Sequence, residues 1–363
     1  MVEAQPGFDK WFVLSSYQNF VKQEGAPMYE GSALEDLGSI ELADWERRGG
    51  KVAYTRLGNQ EFNSLQVVEI PSAGQLKPEH HMYDAIMYVM KGRGATTIWQ
   101  DGQPKHTVEW HEGSLLAIPM NAWHQEFNSS GTEPARILFG TNMAHAINFY
   151  NNLDFIFNCP YQFTDRYSYS ADFFEKQTHW NLRLYETNFI PDIRVFDLDS
   201  YPERGNRVAI MRMSMAACNL GMHVMSVSEG TYATAHRHLA GAHVIVVEGT
   251  GYELLFMPGD EKNRLKVPAC SYAVVAPKDN EFHQHFNSGK GEYKMLAFRG
   301  PGGRYGMGRQ FDPAFTTQTK DPYMTTMMIA PEKEDPLIRQ EYYQELEKNG
   351  VTARLEPINQ GRD

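Results

Sequence analysis

The sequence holds no run of about 20 apolar residues, so no helical membrane span is expected. It has little cysteine: Cys159, Cys218 and Cys270 are scattered, and none belongs to a CxxC pair. That excludes a disulfide scaffold and a paired-thiol motif, and it suits a reducing compartment. The first ten residues lack a basic stretch followed by an apolar one, so no secretory leader is expected and a cytoplasmic location is. Positive charge is in deficit: 34 Lys and Arg against 45 Asp and Glu give a formal net charge of −11. Nucleic acid and anionic membrane surfaces are thereby excluded as principal partners, because both require basic patches.

What is present suffices for two cores. At 363 residues the chain exceeds the size at which single cores stop growing, about 250–300 residues. Its 42% hydrophobic content is that of a globular protein, and 19 Tyr, 20 Phe and 6 Trp supply the bulk.

Short β-rich runs recur with Gly, Pro, Asn or Asp between them. VVEI (67–70), MYVMKG (87–92), ATTIWQ (95–100), SLLAIP (114–119) and ARILFGT (135–141) form one series. VAIMRM (208–213), HVMSVS (223–228), HVIVVEG (243–249), YELLFM (252–257), YAVVAP (272–277) and YKMLAF (293–298) form another. Such spacing predicts an all-β sandwich or barrel, here present twice. The landmarks align: MYVMKGRG (87–94) with VIVVEGTG (244–251), and EGSLLAIPMNAWHQEFN (112–128) with ACSYAVVAPKDNEFHQHFN (269–287). The chain divides into an arm (1–50), a first barrel (51–145), an aromatic-rich connector (146–200), a second barrel (201–305) and a C-terminal extension (306–363). A helix is expected over DPLIRQEYYQELEKNG (335–350), with Asp335 as N-cap, Pro336 in the first turn and Gly350 at the C-cap.

Histidine concentrates in the barrels: of 13, five lie within 80–124 and six within 223–285. His236 and His238 are two apart, which on a strand turns both imidazoles to one face. His283 follows a proline-ended strand, so a barrel can bring it to the same point. In the first barrel the aligned positions are Glu79, His81 and His124, with His80 and Asp84 adjacent.

These residues resemble the two motifs of the cupin superfamily. Gly230, His236, His238 and Gly249 fit the first motif; Pro277, His283 and Asn287 fit the second, as do Gly113, Pro119, His124 and Asn128. The resemblance implies a bicupin: two tandem jelly-roll barrels with short helical flanks and a C-terminal helix. The glutamate of the first motif is absent, and Ala242 and His243 stand in its region. AHRHLAGAHVIVVEGTG (235–251) is similar to the metal motif of gentisate 1,2-dioxygenases and their salicylate and 1-hydroxy-2-naphthoate relatives, which hold ferrous iron with three histidines. The same resemblance makes His285, in His283-Gln284-His285-Phe286-Asn287, a group beside the metal or substrate. It departs where those enzymes meet the substrate carboxylate with arginine: this chain has Val244, and Met225 replaces an upstream glutamine. Arg212 and Lys294 are the alternative cations. His243 is a further candidate for the site, although alternation from His238 turns it outward.

The expected function is an Fe(II)-dependent, ring-cleaving dioxygenase of a hydroxylated carboxylate, with O2 as co-substrate. Mn(II), Zn(II) and Ni(II) also suit these donors, and Glu79, His81 and His124 are a second candidate site. A non-oxidative metalloenzyme (decarboxylase, isomerase or lyase) and a small-molecule-binding bicupin are the alternatives. The family implies a homodimer or homotetramer.

Overall fold

The computed structural model describes residues 14–180, 183–238, 241–299 and 328–357. The first 13 residues of the arm, and 300–327 at the junction of the second barrel and the extension, lie outside this range. Among the described residues no helix is long and apolar enough to cross a membrane.

Each barrel is built from eight strands. The first has β1 (Lys51–Leu57), β2 (Ser64–Ile70), β3 (Ala85–Lys91), β4 (Arg93–Trp99), β5 (His106–His111), β6 (Leu115–Ile118), β7 (Trp123–Asn128) and β8 (Ala135–Thr141). The second has β9 (Val208–Ser214), β10 (Gly221–Val227), β11 (His243–Glu248), β12 (Thr250–Phe256), β13 (Leu265–Cys270), β14 (Val274–Val275), β15 (Phe282–Asn287) and β16 (Tyr293–Arg299). The larger sheet runs β1-β2-β8-β3-β6 in one barrel and β9-β10-β16-β11-β14 in the other; the smaller runs β7-β4-β5 and β15-β12-β13. The two topologies are identical, as the duplicated sequence predicts.

Smaller details repeat too. Both β3 and β11 carry a bulge against the last strand of their barrel, at Met90 and at its equivalent Val247. Gly94 and Gly251 occupy matching places where only glycine fits: a Cβ would lie 1.9 Å from the Phe127 carbonyl oxygen and 2.0 Å from that of Phe286.

The two larger sheets pack against each other. Met211, Met213, Met222, Val224, Ile245, Leu296 and Phe298 leave barrel 2 outward and join the core of barrel 1. Val208, Ile210, Met225, Val244, Val246, Met295 and Ala297 alternate with them and line the inside of barrel 2. Edge strands are also exchanged. Ala33–Leu34 of the arm pairs with β14, and Phe189–Ile190 of the connector pairs with β6.

The predicted helix forms as α4 (Pro336–Asn349), after α1 (Ser16–Gln23), α2 (Met143–Tyr150) and α3 (Leu153–Asn158). Asp335 accepts a hydrogen bond from the Leu337 N–H, and Gly350 ends the helix at φ 65°. Ile338, Tyr342 and Leu346 pack on the small sheet of barrel 2. Cys270 is exposed, and Cys159 and Cys218 are half-buried.

His243 corrects one expectation. It belongs to the outward face of β11, but outward here means the seam between barrels, and the residue is 0% exposed. It pairs with Phe298 and lies on the face of β11 opposite to Val244 and Val246, so the structure does not bring it to the other histidines. Neither ring nitrogen finds a hydrogen-bond partner. Burial pushes its pKa down to about 4, so the ring is neutral in the folded chain. The unfolded chain, with an ordinary value near 6.5, binds the proton first as pH falls, and stability is lost between pH 6.5 and 4. We expect His243→Leu to raise stability by about 1–3 kcal/mol at neutral pH, because an unsatisfied buried polar group is removed. The gain should widen below pH 6. Denaturant unfolding at pH 7 and pH 5 checks this; equal or lower stability of the variant at both values would contradict it.

Candidate metal centres in the two barrels

The same local device positions both candidate centres. His236 and His238 do not lie on a ladder strand as predicted. They occupy an extended segment joined to β15 by isolated bridges, at Tyr232 with Phe286 and at His236 with His283: His236 N–H donates to the His283 carbonyl at 3.0 Å, and His283 N–H to that of His236 at 2.8 Å. The extended backbone keeps the two-residue period, so both rings still share a face. Glu79 and His124 repeat the device at 3.1 and 2.9 Å.

In barrel 2, the ring centroids of His236, His238 and His283 are 5.6, 3.9 and 4.9 Å apart. One nitrogen from each falls within 4.8 Å of the others, near enough for a single ion after small side-chain movements. His236 and His238 are partly open to solvent, while His283 is 1% exposed. Burial first, then neighbouring positive charge, pushes His236 and His283 well below the ordinary imidazole value, so their lone pairs stay available. His283 Nδ1 is buried without a hydrogen-bond partner. An orphaned donor atom beside two other imidazoles fits a metal ligand.

His285 sits behind this group, its ring 5.4 Å from His283 and 5.9 Å from His236. Its Nδ1 is hydrogen-bonded to Glu253, and Glu253 also accepts from the Tyr293 hydroxyl at 2.7 Å. Committing Nδ1 in this way leaves Nε2 as the working nitrogen. Arg212 is on the inner wall, in register with His223 and 5.8 Å from the Tyr201 ring. Val244 and Met225 line the same wall. Lys294, the other cation considered, faces outward and donates to the carbonyls of Arg194 and Phe196 in the connector.

Two further cations border the cluster and were not anticipated. Arg204 is 5% exposed, and its Nη2 lies 2.6 and 2.7 Å from the two ring nitrogens of His236. Arg299 follows Met295 and Ala297 on the inner side of β16. Burial, with repulsion from Arg299 and Arg212, lowers the Arg204 pKa to about 10. Nothing in PERGNR (202–207) separates Arg204 from a solvated turn. Glu253 did leave a signal, as the acid inside the apolar run YELLF.

Barrel 1 holds the more enclosed set: Glu79, His81 and His124 are 8, 2 and 1% exposed. His81 Nδ1 donates to the Tyr83 carbonyl at 2.9 Å, and His124 Nδ1 to Glu126 at 2.6 Å. Each bond fixes the tautomer that leaves Nε2 bare, an arrangement typical of metal ligands. His124 Nε2 is buried without a hydrogen bond, 3.9 Å from Glu79. The second candidate site therefore has the better oriented imidazoles. Its carboxylates are heavily engaged. Glu79 pairs with Arg47 and, at 3.0 Å, with Arg48; Arg48 also holds Glu126 at 2.7 Å. A cation would share Glu79 with two guanidinium groups. His80 and Asp84 turn away: His80 meets Asn121 at 2.8 Å, and Asp84 accepts from Asn142 and from the Asn219 N–H of barrel 2.

Residues 66–140 match the family model described as Cupin domain. No curated protein sequence matches the chain. Among solved structures, a variant of oxalate decarboxylase from Bacillus subtilis has a TM-score of 0.49 at 14% identity, covering 75% of this chain and 78% of that one. Salicylate 1,2-dioxygenase from Pseudaminobacter salicylatoxidans has a TM-score of 0.47 at 12% identity, covering 66% and 71%. Vicilin from hazelnut, Corylus avellana, has 0.45 at 12%, covering 73% and 84%. At these scores the likeness is loose and carries no chemistry with it.

Proposed function

We propose that the protein is a metal-dependent enzyme whose working centre lies in barrel 2, an Fe(II) dioxygenase that cleaves a C–C bond of a hydroxylated aromatic carboxylate. The observation that supports it most is the trio His236, His238 and His283, partly open and without a carboxylate among its donors. Three neutral ligands leave an ion its full double charge, which favours an anionic chelate in an enclosed pocket. Iron held there would supply the redox chemistry between substrate and O2, with both oxygen atoms ending in the cleaved product. Barrel 1, closed on all sides, has the character of a structural site.

The chain's own residues position the reaction. Val244, Met225 and Ala297 offer an apolar wall for a ring. Arg212 provides positive charge on the same wall. His285, oriented by Glu253, holds or moves a proton at a substrate oxygen. That His285–Glu253–Tyr293 chain also favours a second reading, a non-oxidative decarboxylase or lyase that needs proton transfer but no O2.

Oxygen uptake with a panel of hydroxybenzoates separates the two. The first reading predicts substrate loss with one O2 consumed per turnover and none under anaerobic conditions. Equal turnover without O2 would discard the dioxygenase and leave the non-oxidative enzyme.

A further inference from the structure

The two barrels tie their histidine-bearing segments together differently. In barrel 1, Gln125 stands beside His124 on β7, and its side-chain amide donates to the Leu76 carbonyl at 2.9 Å. Leu76 lies three residues before Glu79, so barrel 1 closes this link by itself. Gln284 is the equivalent residue beside His283 on β15, and it is 0% exposed. Its amide does not return to the segment that carries His236 and His238. It donates instead to Glu334 of the C-terminal extension, at 2.7 Å. The other oxygen of Glu334 accepts from the Tyr232 hydroxyl, also at 2.7 Å. Tyr232 lies on the missing partner segment, four residues before His236. One carboxylate from outside the barrel thus spans the gap that barrel 1 closes with its own amide.

Other contacts of the extension converge on the same segment. Met328 bridges His236 on the edge away from His283, and Ile329 N–H donates to the Ala235 carbonyl at 3.0 Å. The Tyr342 hydroxyl is within hydrogen-bond reach of the Thr231 and Asn287 carbonyls, at 2.8 and 2.6 Å. Arg354 N–H donates to the Gly230 carbonyl at 2.8 Å. The approach there is so close that a Cβ on Gly230 (φ 72°) would lie 2.2 Å from the Thr352 carbonyl oxygen. Residues 230–236 meet β15 through isolated bridges and not through a continuous ladder, so what packs on their far edge helps to fix their place.

We propose that the C-terminal extension completes the barrel 2 centre, with Glu334 as a positioning residue that sets His236 and His238 at their spacing from His283. The inference rests on the metal reading above and deepens it. Glu334 lies on the outer side of the small sheet and touches none of the three rings; it acts through Gln284 and Tyr232. Groups that only orient ligands are worth about 10–100-fold in metal affinity. Barrel 1 does not use the extension for this link, so its centre is an internal control.

The test compares full-length variants by Mn(II) calorimetry and, without metal, by amide hydrogen exchange. Binding assigned to barrel 2 is the part lost in His238→Ala. Glu334→Ala should weaken that part about 10–100-fold and leave the remainder unchanged. It should also speed exchange in 231–238 and 282–287 while 74–81 and 123–128 of barrel 1 keep their native rates. Glu334→Gln is the rescue. Its amide still accepts from Tyr232 and can donate to Gln284 Oε1, which is buried without a hydrogen-bond partner, so both readouts should stay near native. Tyr232→Phe removes one of the two ties, keeps the ring between Phe286 and Tyr342, and should fall between native and Glu334→Ala. If Glu334→Ala does not fold, as judged by circular dichroism, Tyr232→Phe carries the test. Native metal affinity and native exchange in the variant that is tested would overturn the proposal, as would a Glu334→Gln as weak as Glu334→Ala. No His238-dependent binding of Mn(II) or Fe(II) in the native chain would instead refute the metal reading beneath it, and the exchange comparison would then decide the positioning role alone.

Discussion

Replacing His238 with alanine should empty barrel 2 of metal and abolish turnover, while barrel 1 keeps any ion it holds. Two imidazoles remain in the variant, one of them already contacted by Arg204. Loss even of groups that only support a ligand weakens metal binding by about 10–100-fold, so loss of a ligand should exceed 100-fold. The mutation removes a partly exposed side chain and should leave the fold intact. Metal content after dialysis gives the readout, with His124→Ala as the counterpart for barrel 1. If barrel 1 is loaded, each variant loses one site and keeps the other. Unchanged metal content in His238→Ala would mean that the ion, if any, is held elsewhere.

The second large effect is on stability. Arg48 is 1% exposed and joins Glu79 to Glu126. Arg48→Met keeps most of the volume and removes the charge, leaving two buried carboxylates near each other. Breaking such a buried network typically costs about 3–5 kcal/mol, because the surviving charges are uncompensated. The wild-type chain should show the complementary acid response. The guanidinium groups of Arg47 and Arg48 outweigh burial and hold Glu79 well below the usual carboxylate range; Arg48 and His124 hold Glu126 at about 2. Both groups are depressed in the folded state, so their contribution is complete above the unfolded value near 4.5 and is lost as pH falls toward 2. For Glu126 alone this amounts to about 3 kcal/mol. In Arg48→Met that contribution is gone, so the gap between the two proteins should narrow from pH 5 to pH 3. Urea unfolding across that range measures it. A gap below about 1 kcal/mol at pH 7, or one that widens in acid, would show that the network is not what holds this end of the barrel.

The contrast between the centres follows from how each residue declares itself in sequence. The histidines were legible because the later His-x3-Asn recurs at matching places in a duplicated chain and the HxH of the second barrel aligns with Glu79 and His81 of the first. The strands were legible from their short apolar runs. Lys294 could have been set aside by alternation alone, since Met295 and Ala297 face inward and position 294 must then face out. His243 shows the limit of that rule: alternation gives the face, but the partner across it depends on how the barrels pack. Arg47 and Arg48 were hidden because an arm distant in sequence from Glu79 and Glu126 delivers them. Arg204 was hidden because a charged turn before a strand usually faces water, and here it faces the histidines. Ion pairs and buried cations depend on long-range packing, and a single sequence carries little trace of them.

Diffraction from crystals soaked anaerobically in Fe(II), measured at the iron absorption edge, tests the central claim most directly. The account predicts an anomalous peak within bonding distance, about 2.0–2.2 Å, of one nitrogen from each of His236, His238 and His283. Iron seen in barrel 1 alone, or a barrel 2 in which those three rings surround no ion, would contradict it.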